Sequence, residues 1–219
     1  MEEISHGGPE LPILFGARYS VYVQAVRLTL EEKGVLYAIE DVDVFARDGV
    51  PPNYLHRNPF GKIPAFEHQG FALYEATAIE RYVDEIFPGP PLQPADAQQR
   101  ARMNQALSVL DAYCYRTFVW DIYVERVSRP REGLPSDEAK IAAALPVAER
   151  CLSALEQIMG KQSCLAGAAL SLADLHATPI FTCFQKAPEG KRTLAANSAL
   201  QAWFDRMSSR ASVMSVCQD

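Results

Sequence analysis

The sequence predicts an α/β domain with a mixed four-stranded sheet, followed by an all-helical bundle. Three observations carry this. The order strand, helix, strand, then two strands and a helix fills the chain up to residue 87. A proline-rich break follows at Pro88, Pro90, Pro91 and Pro94. Beyond it only helical spacing of apolar residues is found.

Leu11–Phe15 (LPILF) is short, apolar and ends at Gly16, which reads as a buried strand. Ala17–Ser20 reads as loop. From Val21 to Lys33 the apolar positions Val23, Val26 and Leu30 fall at helical spacing, and Gly34 stands where a helix C-terminal glycine belongs. Leu36–Val44 alternates Asp41 and Asp43 with Val42 and Val44, the pattern of a strand with one wet face. Strand–helix–strand implies a parallel pair. Residues 46–58 read as loop with room for one helical turn. Ile63–Glu67 and Phe71–Tyr74 read as two short strands around a His68–Gly70 hairpin turn. From Glu75 onward, Ala76, Ile79, Tyr82, Val83 and Ile86 mark an amphipathic helix. The prolines then make a stiff linker, and helices are expected over about 96–127, 136–160, 171–186 and 197–209. The domains expected are 11–87 and 96–215.

Two features of the helical half stand out. Ser171-Leu172-Ala173-Asp174 has the form of a capping box with aspartate at the third position. The stretch Tyr113, Tyr115, Phe118, Trp120, Ile122, Tyr123 is dense in aromatic rings. Most rings on a helix serve a core. Phe118 and Ile122, one turn apart, also suit the wall of an apolar substrate site. Cys114 on the same stretch reads as a packed thiol.

Composition narrows the function. The chain has 219 residues, 48% of them apolar and 22% charged, with a net charge of −6. That surplus of acid argues against a general nucleic-acid binder. Met1–Pro9 lacks the basic start and apolar stretch of a secretory signal, and no apolar run approaches the roughly 20 residues that span a bilayer. The five cysteines (Cys114, Cys151, Cys164, Cys183, Cys217) are odd in number and widely spaced. They suit a reducing cytoplasm better than a disulfide framework. His6, His56, His68 and His176 show no metal-ligand spacing, so no metal is expected.

The segment Asn58–Phe66 (NPFGKIPAF) holds a conflict, because Pro64 sits inside a strand and cannot donate to its ladder. Either the strand is an edge beginning at the proline, or Ile63–Pro64 is cis and turns the Ile63 N–H and C=O outward toward a peptide-like ligand. This run, the hairpin after it, and Leu73–Val83 (LYEATAIERYV) strongly resemble the cytosolic glutathione transferase superfamily. Leu14–Ser20 and Leu30–Gly34 are similar to its serine-type, phi- and theta-like classes. The Ser171–Asp174 signal extends the resemblance to the helical half.

The resemblance implies a thioredoxin-like N-terminal domain that binds glutathione as co-substrate, and a helical domain for an apolar electrophile. It also implies a cytoplasmic homodimer acting in detoxification, with no nucleic-acid or membrane partner. Ser20 matches the catalytic serine. A hydroxyl donating to sulfur at the positive end of a helix would favour the thiolate. An N-cap serine has the same position, and the flanking Tyr19 and Tyr22 could donate instead or line the electrophile site with Phe118 and Ile122. Lys62, Ile63 and Pro64 are implied to meet glutathione, Ile63 by pairing with its cysteinyl backbone. Glu75 would hold the γ-glutamyl amine beside Ala76 and Thr77. Ala76 replaces the family's serine. Gly49-Val50 replaces its His-Lys pair, leaving Arg47 and Lys62 as the nearest cations. A non-catalytic glutathione-transferase-like binding or scaffold protein is the alternative. A cysteine-dependent glutathione reductase is weaker, since no cysteine lies near Ser20.

Overall fold

The computed structural model describes residues 11–46 and 49–217. The expectations for Met1–Pro9, His6 and Arg47 fall outside them. Four strands, β1 (Ile13–Phe15), β2 (Ala38–Glu40), β3 (Ala65–His68) and β4 (Phe71–Tyr74), form one sheet in the order β2-β1-β3-β4. β1 and β2 are parallel; β3 runs antiparallel to β1 and β4. Helix α1 (Val21–Glu32) connects β1 to β2, and α2 (Ala76–Ile86) follows β4. This is the α/β arrangement that the sequence predicts.

The strands are shorter than their apolar patterns. β2 ends at Glu40 rather than Val44, because β1, its only partner, ends at Phe15 and Gly16 then turns away. The alternation of Val42 and Val44 therefore lies in a loop, where Val42 is buried against Phe15 and Tyr54. A single tight helical turn forms at Pro52–His56. β3 and β4 are joined by Gln69 and Gly70, whose φ angles of 51° and 77° fit the hairpin turn that favours such residues. On α2, Ala76, Ile79 and Val83 are buried, while Ile86 is exposed.

The linker is docked rather than merely stiff. Buried Lys33 reaches Asp84 Oδ1 at 3.1 Å and the Asp84 and Pro90 carbonyls at 2.9 and 3.2 Å. Asp84 also accepts the Leu92 N–H at 2.8 Å and the Gln93 N–H at 3.1 Å.

The helical half opens with α3, which begins as Ala97–Val109 and continues without a break through Leu110–Ser128 and Arg129–Arg131. Its middle part is wound widely, in the π manner, so that the Arg129 N–H reaches back five residues to the Val124 carbonyl. Leu110, Cys114, Phe118 and Ile122 are buried at steps of four. Then come α4 (Glu138–Met159), α5 (Leu172–Lys186), α6 (Pro188–Ala195), α7 (Ser198–Ser208) and α8 (Ala211–Cys217). Helices α6 and α8 were not expected from the sequence. α5 is buried on all sides from Leu172 to Phe181 and is the axis of the bundle. Its capping box is present. Buried Asp174 accepts the Ser171 N–H (2.9 Å) and hydroxyl (2.7 Å), the Leu165 N–H (2.8 Å) and Trp203 Nε1 (2.8 Å).

Candidate functional site

The turn from β1 into α1 is the centre of the site. A side chain at Gly16, where φ is 151°, would place its Cβ 2.5 Å from Val23 Cγ2 and 3.2 Å from Ile63 Cβ. Only glycine lets the strand, the helix and the Ile63 turn meet this closely. Ser20 then caps α1 with extended angles (φ −70°, ψ 126°). Its Oγ accepts a long bond from the Val23 N–H at 3.5 Å and, among the described residues, donates to no acceptor. The half-buried hydroxyl proton thus stands free at a helix N-terminus with no acid in its first turn.

The adjoining turn holds Ile63 and Pro64 in place. The Ile63–Pro64 bond is cis. Among the described residues the Ile63 N–H and C=O have no backbone partner. The Lys62 carbonyl accepts the Tyr54 hydroxyl and Asn58 Nδ2, both at 2.8 Å, which fixes the backbone just before it. The Lys62 side chain is exposed and, among the described residues, has no ion-pair partner.

The third segment is the start of α2. Glu75 is exposed and precedes the helix with φ 71° and ψ 114°, a region that a side chain rarely adopts. Its side chain makes no capping bond. Among the described residues the N–H groups of Ala76 and Thr77 have no backbone acceptor, as at any uncapped helix start. Such a start suits a carboxylate.

The two tyrosines are engaged elsewhere. The exposed Tyr19 hydroxyl donates to Asp43 Oδ1 at 2.6 Å. Burial, then the bond to Asp43, pushes its pKa well above the usual phenol value. Tyr22 lies with its ring centroid 4.5 Å from Tyr115 and 5.5 Å from His176. Burial, then the Asp111 charge and hydrogen bond, likewise push its pKa far up. Both hydroxyls remain protonated, and that of Tyr19 is committed to Asp43.

Phe118 and Ile122 require a correction. Both are fully buried at 0% exposure. Phe118 stacks on Phe184 at 4.1 Å and meets Phe181 edge-on at 5.5 Å. These two side chains fill the bundle core, so neither offers surface to a substrate, whereas Tyr113 of the same stretch is exposed. Tyr19, Phe45 and Trp120 form a row of rings next to Ser20, with centroids 6.4 Å apart for the first pair and 6.0 Å for the second. Sequence reasoning singled out Trp120 only as one of a group and missed Phe45, an isolated ring in a polar loop.

A buried charge cluster beside the site was also missed. His176 on α5 places Nδ1 3.0 Å from Glu80 Oε1 on α2, and Nε2 2.9 Å from Asp111 Oδ1 on α3. Burial disfavours the imidazolium. The Glu80 charge and the Asp111 bond outweigh that and raise its pKa to about 10. The Asp111 carboxyl is held below its ordinary value against its own burial by the His176 bond. No spacing in the sequence links positions 80, 111 and 176.

Two surface depressions, of about 370 Å³ between α3 and α4 and about 560 Å³ beside Glu32 and Arg210, lie apart from Ser20 and Glu75. Ser20 and Glu75 stand at the starts of α1 and α2, with Ile63 packed against Gly16 beside the first.

Fold and site geometry together define a thioredoxin-like sheet domain joined to a helical domain, with the site at the seam of the two. The family model for the glutathione S-transferase N-terminal domain matches residues 14–91, and that for the C-terminal domain matches 112–211. Glutathione S-transferase F10 of Arabidopsis thaliana is 34% identical over 84% of this chain and 86% of its own. The crystal structure of glutathione transferase F7 from Populus trichocarpa is 27% identical, with a TM-score of 0.83 over 94% of this chain and 97% of that one. A structure of glutathione S-transferase-I bound with lactoylglutathione is 26% identical, with a TM-score of 0.84 over 96% of this chain and 99% of the other. The chain belongs to the glutathione S-transferase family.

Proposed function

We propose that the chain catalyses attack of the glutathione thiolate on a small, apolar electrophile, with the Ser20 hydroxyl as the group that stabilises the thiolate. The observation that carries this reading is the uncommitted proton of Ser20 at the start of α1, next to Tyr19, whose proton is already given to Asp43. The thiol proton leaves to water. The sulfur lone pair forms the new bond to carbon, and the leaving group departs with its electron pair. A hydroxyl donating to the thiolate lowers the thiol pKa, each unit corresponding to about 1.4 kcal/mol.

The glutathione contacts follow the free backbone groups. Ile63 pairs with the cysteinyl backbone beyond Lys62 and Pro64. The Ala76 and Thr77 N–H groups hold the γ-glutamyl carboxylate, and Glu75 holds its amine. Thr77 supplies the hydroxyl that Ala76 lacks. The electrophile lies against Tyr19 and Tyr22, with Phe45 and Trp120 in the place expected of Phe118 and Ile122. The domains are taken as 11–87 and 96–215. A cytoplasmic place and a role in detoxification belong to the same proposal, which rests on the resemblance to the family; no described helix is long and apolar enough to cross a membrane.

Ser20→Ala tests the assignment. Turnover with a generic electrophile should fall at least about tenfold, in the range seen when one hydrogen-bond donor to a developing anion is lost. The pKa of bound glutathione should rise toward that of the free thiol. Unchanged turnover in Ser20→Ala, with loss in Tyr19→Phe or Tyr22→Phe, would transfer the role to a tyrosine.

A homodimer completes the reading. Phe60 is 67% exposed and meets Tyr74 edge-on at 6.0 Å, while Phe71 and Tyr74 lie on the edge strand β4. Such rings in solvent suit a two-fold contact. Light scattering at micromolar concentration should give about twice the chain mass of 24.3 kDa, and Phe60→Asp should shift it toward one chain.

A further inference from the structure

We infer that His176 is a positioning residue for glutathione: one buried ring, held between Glu80 and Asp111, sets the two helix starts that make the site. The inference rests on the glutathione reading above and extends it to a residue outside the ligand contacts.

The geometry is specific. α2 carries Glu75, Ala76 and Thr77 at its start, and Glu80 lies on the following turn. Both Glu80 oxygens lie within bonding distance of His176 Nδ1, at 3.0 and 3.2 Å. α1 carries Ser20 at its start, and Tyr22 lies in its first turn. The Tyr22 ring packs on His176 at 5.5 Å, and the Asp111 carboxylate that holds His176 Nε2 also acts on Tyr22. The His176 ring therefore touches both helices whose starts face the ligand, and it reaches them from the helical domain. Each contact fixes a different end of glutathione: the thiol at Ser20, the γ-glutamyl group at α2.

The arrangement uses both ring nitrogens as donors, which an imidazolium can do and a neutral ring cannot. His176 and the Glu80 side chain are wholly buried. The charged groups facing this ring are Glu80 from α2 and Asp111 from α3, with Tyr22 from α1. Arg81 on α2 acts on both carboxylates and is tied to Asn104 on α3 at 2.9 Å. A neutral or absent ring leaves two carboxylates close together with one proton donor fewer. Separation of α2 from α3 relieves that repulsion, and it shifts the start of α2 relative to α1, whose Tyr22 packs on the same ring.

A purely structural role would lower stability without changing substrate binding in the folded enzyme. Positioning predicts a different pattern. In His176→Gln, KM for glutathione should rise at least fivefold while KM for the electrophile stays within twofold, at a temperature where circular dichroism shows the variant folded. The pKa of the bound thiol should rise as well. Asp111→Asn is the companion variant, because the Asp111 side chain is 40% exposed and its amide keeps the size of the group. It should weaken calorimetric binding of S-hexylglutathione at least threefold, and it decides the matter if His176→Gln does not fold. Nitrogen NMR of labelled His176 should show both ring nitrogens protonated at pH 8. Wild-type protein that does not bind S-hexylglutathione would overturn the glutathione reading itself. Wild-type protein that binds it, with Asp111→Asn and any folded His176→Gln binding equally well, would overturn only the positioning role. A neutral His176 at pH 8 would do the same.

Discussion

Glu75 shows what a single residue at this site costs and provides. Its φ of 71° places a side chain where glycine is the usual occupant. Such a conformation costs about 1–3 kcal/mol, while the extra freedom of an unfolded glycine costs about 0.4–1 kcal/mol. Glu75→Gly should therefore keep or raise the melting midpoint, by about 2–4 °C for each kcal/mol gained in a chain of this size. It should also weaken S-hexylglutathione binding, since the carboxylate that meets the γ-glutamyl amine is gone. Thermal unfolding and calorimetry on one preparation would check both halves; a clear fall in the midpoint would show that Glu75 is not strained. The Glu75–Ile79 motif singled this residue out in the sequence as a proposed ligand contact, but its backbone was not legible, because φ depends on where β4 must hand over to α2. Ser20, Ile63 and Pro64 could be proposed for the same reason, as parts of short contiguous motifs. His176, Glu80 and Asp111 could not. Their meaning lies in contacts between three helices far apart in the chain, and each alone reads as an ordinary polar residue on an amphipathic face. Phe118 and Ile122 failed in the opposite sense: spacing placed them correctly on one face of a helix, but could not say whether that face met a cleft or Phe184.

Legibility also differs between elements. Helices with an apolar stripe and a capping signal were read to within a few residues, as with α5 and its Ser171–Asp174 box. β2 was over-read because strand length is set by the partner, and β1 has only three residues to offer. α6 was missed because Pro188-Glu189-Gly190 reads as a breaker. The proline instead occupies the first turn of the helix, where its lost N–H has no cost. Gly190 is there for contact: an added Cβ would stand 2.0 Å from the Phe184 carbonyl oxygen and 2.8 Å from the Phe184 ring. Helix propensity alone says that Gly190→Ala should stabilise, by about 0.8–1 kcal/mol. The contact says the opposite. α6 would have to lift from the end of α5, and overpacking of this kind costs about 1–3 kcal/mol. Urea unfolding of Gly190→Ala should show a lower midpoint with an unchanged slope. A higher midpoint would mean that α6 shifts freely.

At the scale of the molecule, buried and half-buried charges tie the two halves together. Lys33 and Asp84 fix the linker, Arg210 grips Glu32 on α1 at 2.9 and 2.7 Å, and His176 bridges α2 to α3. The site lies along this seam, so the same contacts that join the domains align the helix starts. The seam also has a dependence on pH. The folded pKa of His176 is raised to about 10 from the ordinary 6.5. A raised pKa means that the folded state binds the proton more tightly. The stabilisation is complete below about pH 6.5, declines as the unfolded chain loses its proton, and is gone once pH passes about 10. Between pH 7 and 8.5 the unfolded histidine is mostly neutral and the folded one charged, so stability should fall by about 1.4 kcal/mol per pH unit from this one group. Thiols whose folded pKa is raised by burial, such as Cys183 and Cys217, add to this fall as the unfolded cysteines ionise toward pH 8.5. Urea unfolding at pH 7.0, 7.75 and 8.5 would measure the slope in the wild type. The same series in His176→Gln should be shallower by about 1.4 kcal/mol per pH unit, because the histidine part of the slope is missing while the cysteine part remains. A parallel slope in both proteins would place the neutral form of His176 in the folded state and remove the charge from the seam.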